Sequence, residues 1–163
     1  MAQVIVSQLY GTKTDLTITL NSLAASATVG RQATVVDNTV NNALDVQVQG
    51  KINVGTVSGN KQILFYVAGS LDGGTTYSLE NGANAIGATD AGFTRVDPSG
   101  KMPAYVLPVP TSSVDYSFDF SIAQLFGGSM PDHWALVVFN DSGATLAASG
   151  NSAWYKEIRA QQN

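Results

Sequence analysis

The sequence contains no cysteine. That absence removes thiolate catalysis, thiolate zinc sites and disulfide frameworks together. Charge is scarce as well, with 8 basic and 12 acidic residues among 163 and a formal net charge of -4. The basic residues (Lys13, Arg31, Lys51, Lys61, Arg95, Lys101, Lys156 and Arg159) form no run along the chain. Nucleic-acid affinity comes largely from phosphate neutralisation by Lys and Arg, so nucleic acid is not an expected partner. No stretch approaches the roughly 18 apolar residues of a membrane span. The opening MAQVIVSQLYGTKTD has neither a basic n-region nor an apolar run of signal-peptide length. A soluble protein is expected, with no membrane partner.

What the chain has instead is small uncharged polarity. Gly, Ser, Thr and Asn together supply 56 residues, well over twice the charged total. A chain of this length buries about two-thirds of its unfolded surface and needs no disulfide or metal to hold it.

Alternation is the strongest pattern. Leu16, Ile18 and Leu20 share one face of Thr14 to Leu20, opposite Asp15, Thr17 and Thr19. Between Leu44 and Val54, the residues Leu44, Val46, Val48, Ile52 and Val54 share one phase, opposite Asp45, Gln47, Gln49, Lys51 and Asn53. Gly50 breaks that apolar row and predicts a bulge or bend. Val114, Tyr116, Phe118 and Phe120 oppose Asp115, Ser117 and Asp119. These are half-buried antiparallel strands. Ile63 to Ala68 and Trp134 to Phe139 are nearly continuous apolar runs and are assigned to central strands. Weaker strand signals lie at Val4 to Leu9, Ala33 to Val36, Ala104 to Leu107, Ala144 to Ala147 and Ala153 to Ile158. Asn140-Asp141-Ser142-Gly143 predicts a hairpin turn. Ser121 to Phe126 predicts a short turn of helix, stopped by Gly127-Gly128. The expected fold is all-β: a two-sheet antiparallel sandwich with jelly-roll connections, one short helix and a long loop excursion.

Two parts fall outside that frame. Residues 1–13 precede the first clear strand and form an N-terminal arm or edge strand. A single sandwich domain then covers 14–163. Inside it, 82–110 is an excursion rich in Gly, Ala and Asn with Pro103, Pro108 and Pro110, punctuated by Phe93 and Val96. Long insertions of this kind in compact domains usually carry function.

The sharpest local motif is Ser70-Leu71-Asp72-Gly73-Gly74-Thr75-Thr76-Tyr77, which matches the Asp-box pattern. Its physics is that of a self-satisfied hairpin. The Asp72 carboxylate accepts backbone N–H bonds, Gly73 and Gly74 permit the tight path, and Tyr77 packs beneath. Ser70, Asp72, Gly74, Thr76 and Tyr77 are therefore a structural set. Asp-boxes recur in sialidase propellers, but away from the active site and several to a chain; this chain has one.

Catalytic alternatives are weak. His133, the single histidine, follows Asp132, but no Gly-x-Ser-x-Gly elbow accompanies it, and a surface turn is the expected setting. Asp115 and Asp119, four residues apart on one strand face, are separated by about 13 Å. Glycosidase carboxyl pairs sit about 5 to 9.5 Å apart. Asp37, Asn38, Asp90, Asp97, Asn140 and Asp141 lie in loops without the dense spacing of a calcium site. Gly127-Gly128 follows a helix rather than opening one. No catalytic residue, cofactor or metal is expected, and the protein is not expected to be an enzyme. Of the aromatic residues, Tyr10, Tyr77, Phe93, Tyr105, Trp154 and Tyr155 lie outside the clear apolar phases. Trp154 and Tyr155 are neighbours, so one of them faces outward.

The order of Asp15 to Ala24, Val36-Asp37-Asn38-Thr39, the long alternating strand, the Ser70-to-Tyr77 hairpin and Trp134 to Ala144 resembles small virion proteins of tailed bacteriophages. The likeness spans most of residues 14 to 158 and lies in overall style and order. It implies a jelly-roll cement, or decoration, protein that trimerises on a capsid surface and locks major capsid protein subunits together. Such a protein would be made in the host cytoplasm and reside in the virion. The 82–110 excursion departs from any pattern the resemblance supplies. The alternative is a glycan- or receptor-binding module of a phage tail or fibre, which exposed aromatics in a groove would mark.

Overall fold

The computed structural model describes residues 6–80, 84–95 and 101–162. Among them run eleven strands and one 3-10 helix. The strands are β1 (Val6–Tyr10), β2 (Thr14–Asp15), β3 (Val29–Gln32), β4 (Val36–Asp37), β5 (Asp45–Asn53), β6 (Gln62–Ser70), β7 (Ala91–Thr94), β8 (Tyr105–Pro108), β9 (Asp115–Ser121), β10 (His133–Asp141) and β11 (Ser152–Gln162). The helix spans Ala123–Phe126 and closes on Gly127 in the left-handed conformation, as its sequence predicts.

All pairings are antiparallel and fall into two sheets. The front sheet runs β1-β11-β5-β9, with β2 also on β11; the back sheet runs β7-β3-β10-β6-β8, with β4 also on β10. With β1, β4 and β7 set aside, consecutive strands cross from one sheet to the other, except β6 and β8, which are neighbours in the back sheet. Four front strands (β2, β11, β5, β9) facing four back strands (β3, β10, β6, β8) in this order make a jelly roll.

Alternation explains the front sheet. Val46, Val48 and Ile52 of β5, Phe118 and Phe120 of β9 and Ala153 of β11 turn inward and are buried. They meet Phe65 of β6 and Trp134, Leu136 and Val138 of β10 in the core between the sheets. The rings of Phe65 and Phe118 lie 4.2 Å apart, and Tyr155 meets Trp134 edge-on at 5.4 Å. Trp154 therefore takes the outward phase, which settles which of the two neighbours faces out.

The continuous apolar runs have a different cause. The opposite phase of β6 and β10 (Leu64, Tyr66, Ala68, Ala135, Val137 and Phe139) forms a second core on the outer face of the back sheet. Tyr77, Leu79, Ile86 and Phe93 cover it from the segment after β6. Buried Gln32 fastens this cover: its amide donates to the carbonyls of Gly87 (2.6 Å) and Thr89 (3.0 Å) and accepts from the Gly87 N–H. The Arg31–Asp90 ion pair at 2.5 Å adds a second clasp. Burial pushes Asp90 up, but the hydrogen bonds from Arg31 and Thr19 outweigh it and hold the carboxyl below its usual range.

Several sequence expectations need correction. Thr14 to Leu20 is not one strand. Leu16 donates to Ala153 of the front sheet, and Thr17 accepts from Thr34 beside the back sheet. The segment crosses from one sheet to the other, so its apolar phase is buried while a ladder forms only at Thr14–Asp15. Gly50 makes no bulge, because its pairing with Ala153 and Phe118 is unbroken on both sides. A Cβ there would come within 2.3 Å of the Ser152 carbonyl oxygen and 2.4 Å of the Phe118 ring. Leu44 leaves the inward row and is 53% exposed. Of the Ala33-to-Val36 signal only Val36 falls in a strand, since Ala33 to Val35 link β3 to β4, and Ala144 to Ala147 contributes one bridge, Val54 to Leu146. Asn140 to Gly143 turns the chain, with Gly143 at φ 79°, but it joins strands of different sheets and so closes no hairpin.

The 82–110 excursion supplies both edges of the back sheet, β7 and β8. Its Val96, and Asp97 of the calcium candidates, lie outside the described residues, as do Met1 to Ile5 of the arm. The described part of the arm pairs within its own chain, with Val6 opposite Gln162 and Tyr10 opposite Ile158.

Candidate binding face

The Ser70-to-Tyr77 segment makes the turn bonds its sequence predicts but closes no hairpin, because among the described residues β6 pairs only with β10 and β8. The Ser70 hydroxyl donates to Asp72 Oδ1 at 2.7 Å and accepts from the Gly74 N–H at 3.0 Å. Asp72 Oδ1 also accepts from the N–H groups of Thr76 (2.9 Å) and Thr75 (3.1 Å). Gly73 and Gly74 have φ of 71° and 83°, where a side chain would be strained. The Thr76 N–H and the Ser70 hydroxyl, foremost among these donors, bring the Asp72 carboxyl down to about 2. Tyr77 lies in the second core, and its phenol is pushed up by burial and then by Glu80, Asp72 and Asp37. The Ser70 hydroxyl and Asp72 Oδ1 are thus spent inside the turn. The five residues act as one structural unit.

His133 is not a surface turn residue. It opens β10, with its side chain only 19% exposed, Nε2 3.6 Å from Asp37 Oδ1 and Nδ1 buried without a hydrogen-bond partner among the described residues. It borders the Asp72 turn at Gly74. Thr39 donates to Asp37 through both hydroxyl (2.6 Å) and N–H (2.8 Å), and these bonds lower the Asp37 carboxyl more than the imidazole does.

The loop carboxylates and amides do not converge. Asp141 accepts from Asn60 and Gln62, Asn140 ties Leu23 to Ala144, and Asn38 holds Ala43. Among the described residues, no group of three His, Cys, Asp or Glu side chains is placed to hold a metal ion. Asp115 accepts from Asn53, and Asp119 lies four residues further along β9, opposite Gln49.

The front sheet's outer face differs in kind. Trp154 is partly exposed there, opposite Gln49, which in turn lies opposite Asp119. Lys51 and Ser117 form one neighbouring row, and Lys156 with Gln47 the other. Two shallow grooves meet at the indole. One, of about 260 Å³, runs past Gln49, Lys51, Ser117 and Asp119. The other, of about 240 Å³, runs past Tyr10, Gln47 and Lys156. Lys13, paired with Asp15 at 3.1 Å, holds its ammonium 4.5 Å from the indole centre. Sequence reasoning missed this cluster because its lysines are far apart in the chain. The signal was present in the polar phase of the long strand and in the Trp154-Tyr155 pair.

At one corner of the same sheet, β11 runs past the start of β5, so Arg159 to Gln162 pair with β1 alone. Val6, Leu9 and Tyr10 on this ribbon are 66%, 44% and 63% exposed. Leu44 is bonded through its N–H to Ile158 at the ribbon's base, and exposed Val40 lies in the adjoining loop, whose Asn41 donates to Glu157.

No protein-family model matches the chain, and no curated protein matches it in sequence.

Proposed function

We propose that the protein is a virion structural protein: a capsid cement, or decoration, protein that binds and stabilises an assembled lattice of major capsid protein. The observation that carries this reading is the apolar corner formed by the β1–β11 ribbon. Val6 and Tyr10 on one face of the ribbon and Leu9 on the other expose large apolar side chains, as do Val40 and Leu44 at its base. Clustered exposure of this kind marks a protein contact, whereas single exposed apolar residues need no account. Among the described residues β1 pairs with β11 alone and is the outermost strand of its sheet, a position to which a neighbour's strand can be added. A cement protein works by mass action. By binding the assembled lattice and not its separate parts, it stabilises the lattice by the binding free energy. The jelly roll supplies rigid faces for that role, and the ribbon supplies reach.

Native mass tests the reading first. Light scattering during size exclusion is expected to give a trimer, three times 17.0 kDa, because closed three-fold oligomers suit the three-fold positions of a capsid lattice. Replacing Leu9 and Tyr10 by Asp is expected to dissociate it without unfolding the sandwich. A monomer that fails to co-sediment with expanded capsids would remove the proposal.

A further inference from the structure

We propose that the outer face of the front sheet is a binding site for an acidic oligosaccharide, a run of pyranose rings bearing carboxylates, seated across Trp154. Three observations converge on it. The first is the aromatic surface. Trp154 stands partly exposed where two grooves meet, with the Lys13 ammonium 4.5 Å from its centre, on a sheet whose other aromatic rings turn inward except Tyr10 at the second groove. Flat sugar faces carry C–H groups that pack on an indole, which offers large apolar area with little flexibility.

The second is what the polar side chains leave undone. Elsewhere the chain spends its polar groups on itself, as at Asp72, Asp90, Asn140 and Asp141. Gln47, Gln49, Lys51, Ser117, Asp119 and Lys156, by contrast, make no side-chain hydrogen bond or ion pair among the described residues. Two carboxamides and a hydroxyl, each able to donate and accept, match sugar hydroxyls, which do the same.

The third is charge. The chain is acidic overall, yet three of its eight Lys and Arg residues, Lys13, Lys51 and Lys156, surround this one indole. Lys13 is matched by Asp15. Lys51 and Lys156 flank Trp154 one same-face step to either side, about 7 Å along the strands. They outnumber the uncommitted Asp119. A chain with carboxylates on either side of a stacked ring is complementary to that spacing. A DNA strand would meet the same charge, but its deoxyribose rings lack the run of hydroxyls that the carboxamides match. This site does not rest on the capsid reading.

The test titrates the native protein with hexagalacturonate and follows tryptophan fluorescence. Trp134 is fully buried, so a change reports Trp154. A saturable change is expected, with cellohexaose and an oligothymidylate of equal charge each binding at least about tenfold more weakly. Loss of one charged hydrogen-bonding partner predicts about tenfold weaker binding for Lys51→Ala and again for Lys156→Ala. Trp154→Ala, followed by calorimetry, is expected to abolish binding while the circular dichroism spectrum is retained. The two lysine variants decide the matter if that variant misfolds. Equal binding of cellohexaose, tighter binding of the oligothymidylate, no effect of the substitutions, or no saturation at about 10 mM would each overturn the proposal. A monomer that binds hexagalacturonate but fails to co-sediment with expanded capsids would remove the capsid reading alone.

Discussion

The two sheets of this sandwich carry outer faces with opposite fates. On the back sheet, Leu64, Tyr66, Val137 and Phe139 are roofed by Tyr77, Leu79, Ile86 and Phe93. On the front sheet, Gln47, Gln49, Lys51 and Trp154 stay uncovered. Strands buried on both faces lose their alternation, and strands with one wet face keep it. The comparison teaches that a continuous apolar run in an antiparallel protein announces a covering segment as well as a central position. The cover is then found where the chain next wanders, here between β6 and β8.

The comparison breaks most easily at the roofed face. Phe139→Ala removes a ring that meets both Tyr66 and Phe93 edge-on, and a loss of about 3–5 kcal/mol is expected by chemical denaturation. A value under about 1 kcal/mol would mean that the second core is not a core. Gly50→Ala attacks the front sheet from inside, pushing a methyl into Phe118 and the Ser152 carbonyl, at an expected cost of about 1–3 kcal/mol. Unchanged stability would show that the sheet relaxes freely there. Gln32→Ala strips the clasp of the cover and leaves the Gly87 and Thr89 groups unpaired, for about 1–3 kcal/mol. Amide exchange should accelerate at Ile86 and Gly87 ahead of β10.

On the open face, Gln49→Ala should change stability by no more than about 0.5 kcal/mol, since it touches no core and bonds to nothing. A larger loss would mean that the face is structural after all. The smallest effect is local. Asp72 has a folded-state value of about 2, below the usual carboxylate value of about 4. Its contribution is therefore complete above about pH 4 and lost as pH falls through about 2. A carboxyl titration by NMR that placed Asp72 near an ordinary carboxylate would discard the turn's account.

Much of the sandwich was legible in the chain. Alternation located β5 and β9, the apolar runs located β6 and β10, and the Ser70-to-Tyr77 turn was readable down to its hydrogen bonds. What escaped had particular causes. Leu16 to Leu20 alternates because it is extended, yet it crosses between sheets and so has no steady neighbour. Gly50 reads like a bulge, but the reason for glycine lies in Phe118, nearly seventy positions away. His133 looked like a turn residue because Pro131 and Asp132 precede it, whereas Asp37 and Ser70 flank it in the sheet. The candidate face shows the same limit, since Lys13, Lys51 and Lys156 meet only when β2, β5 and β11 are side by side.

The place of β11 has a consequence in time. It lies between β1 and β5, and it is the only strand that either β1 or β2 pairs with among the described residues. During synthesis the first two strands therefore emerge and wait while nearly the whole chain follows, and β5 waits with one side open. Pairings so distant in sequence close slowly, on the order of milliseconds to seconds for folds of this kind. The front sheet is completed in a single late event, the insertion of β11, and a nascent chain halted before Ser152 is expected to hold a nearly finished back sheet beside strands that have nothing to join.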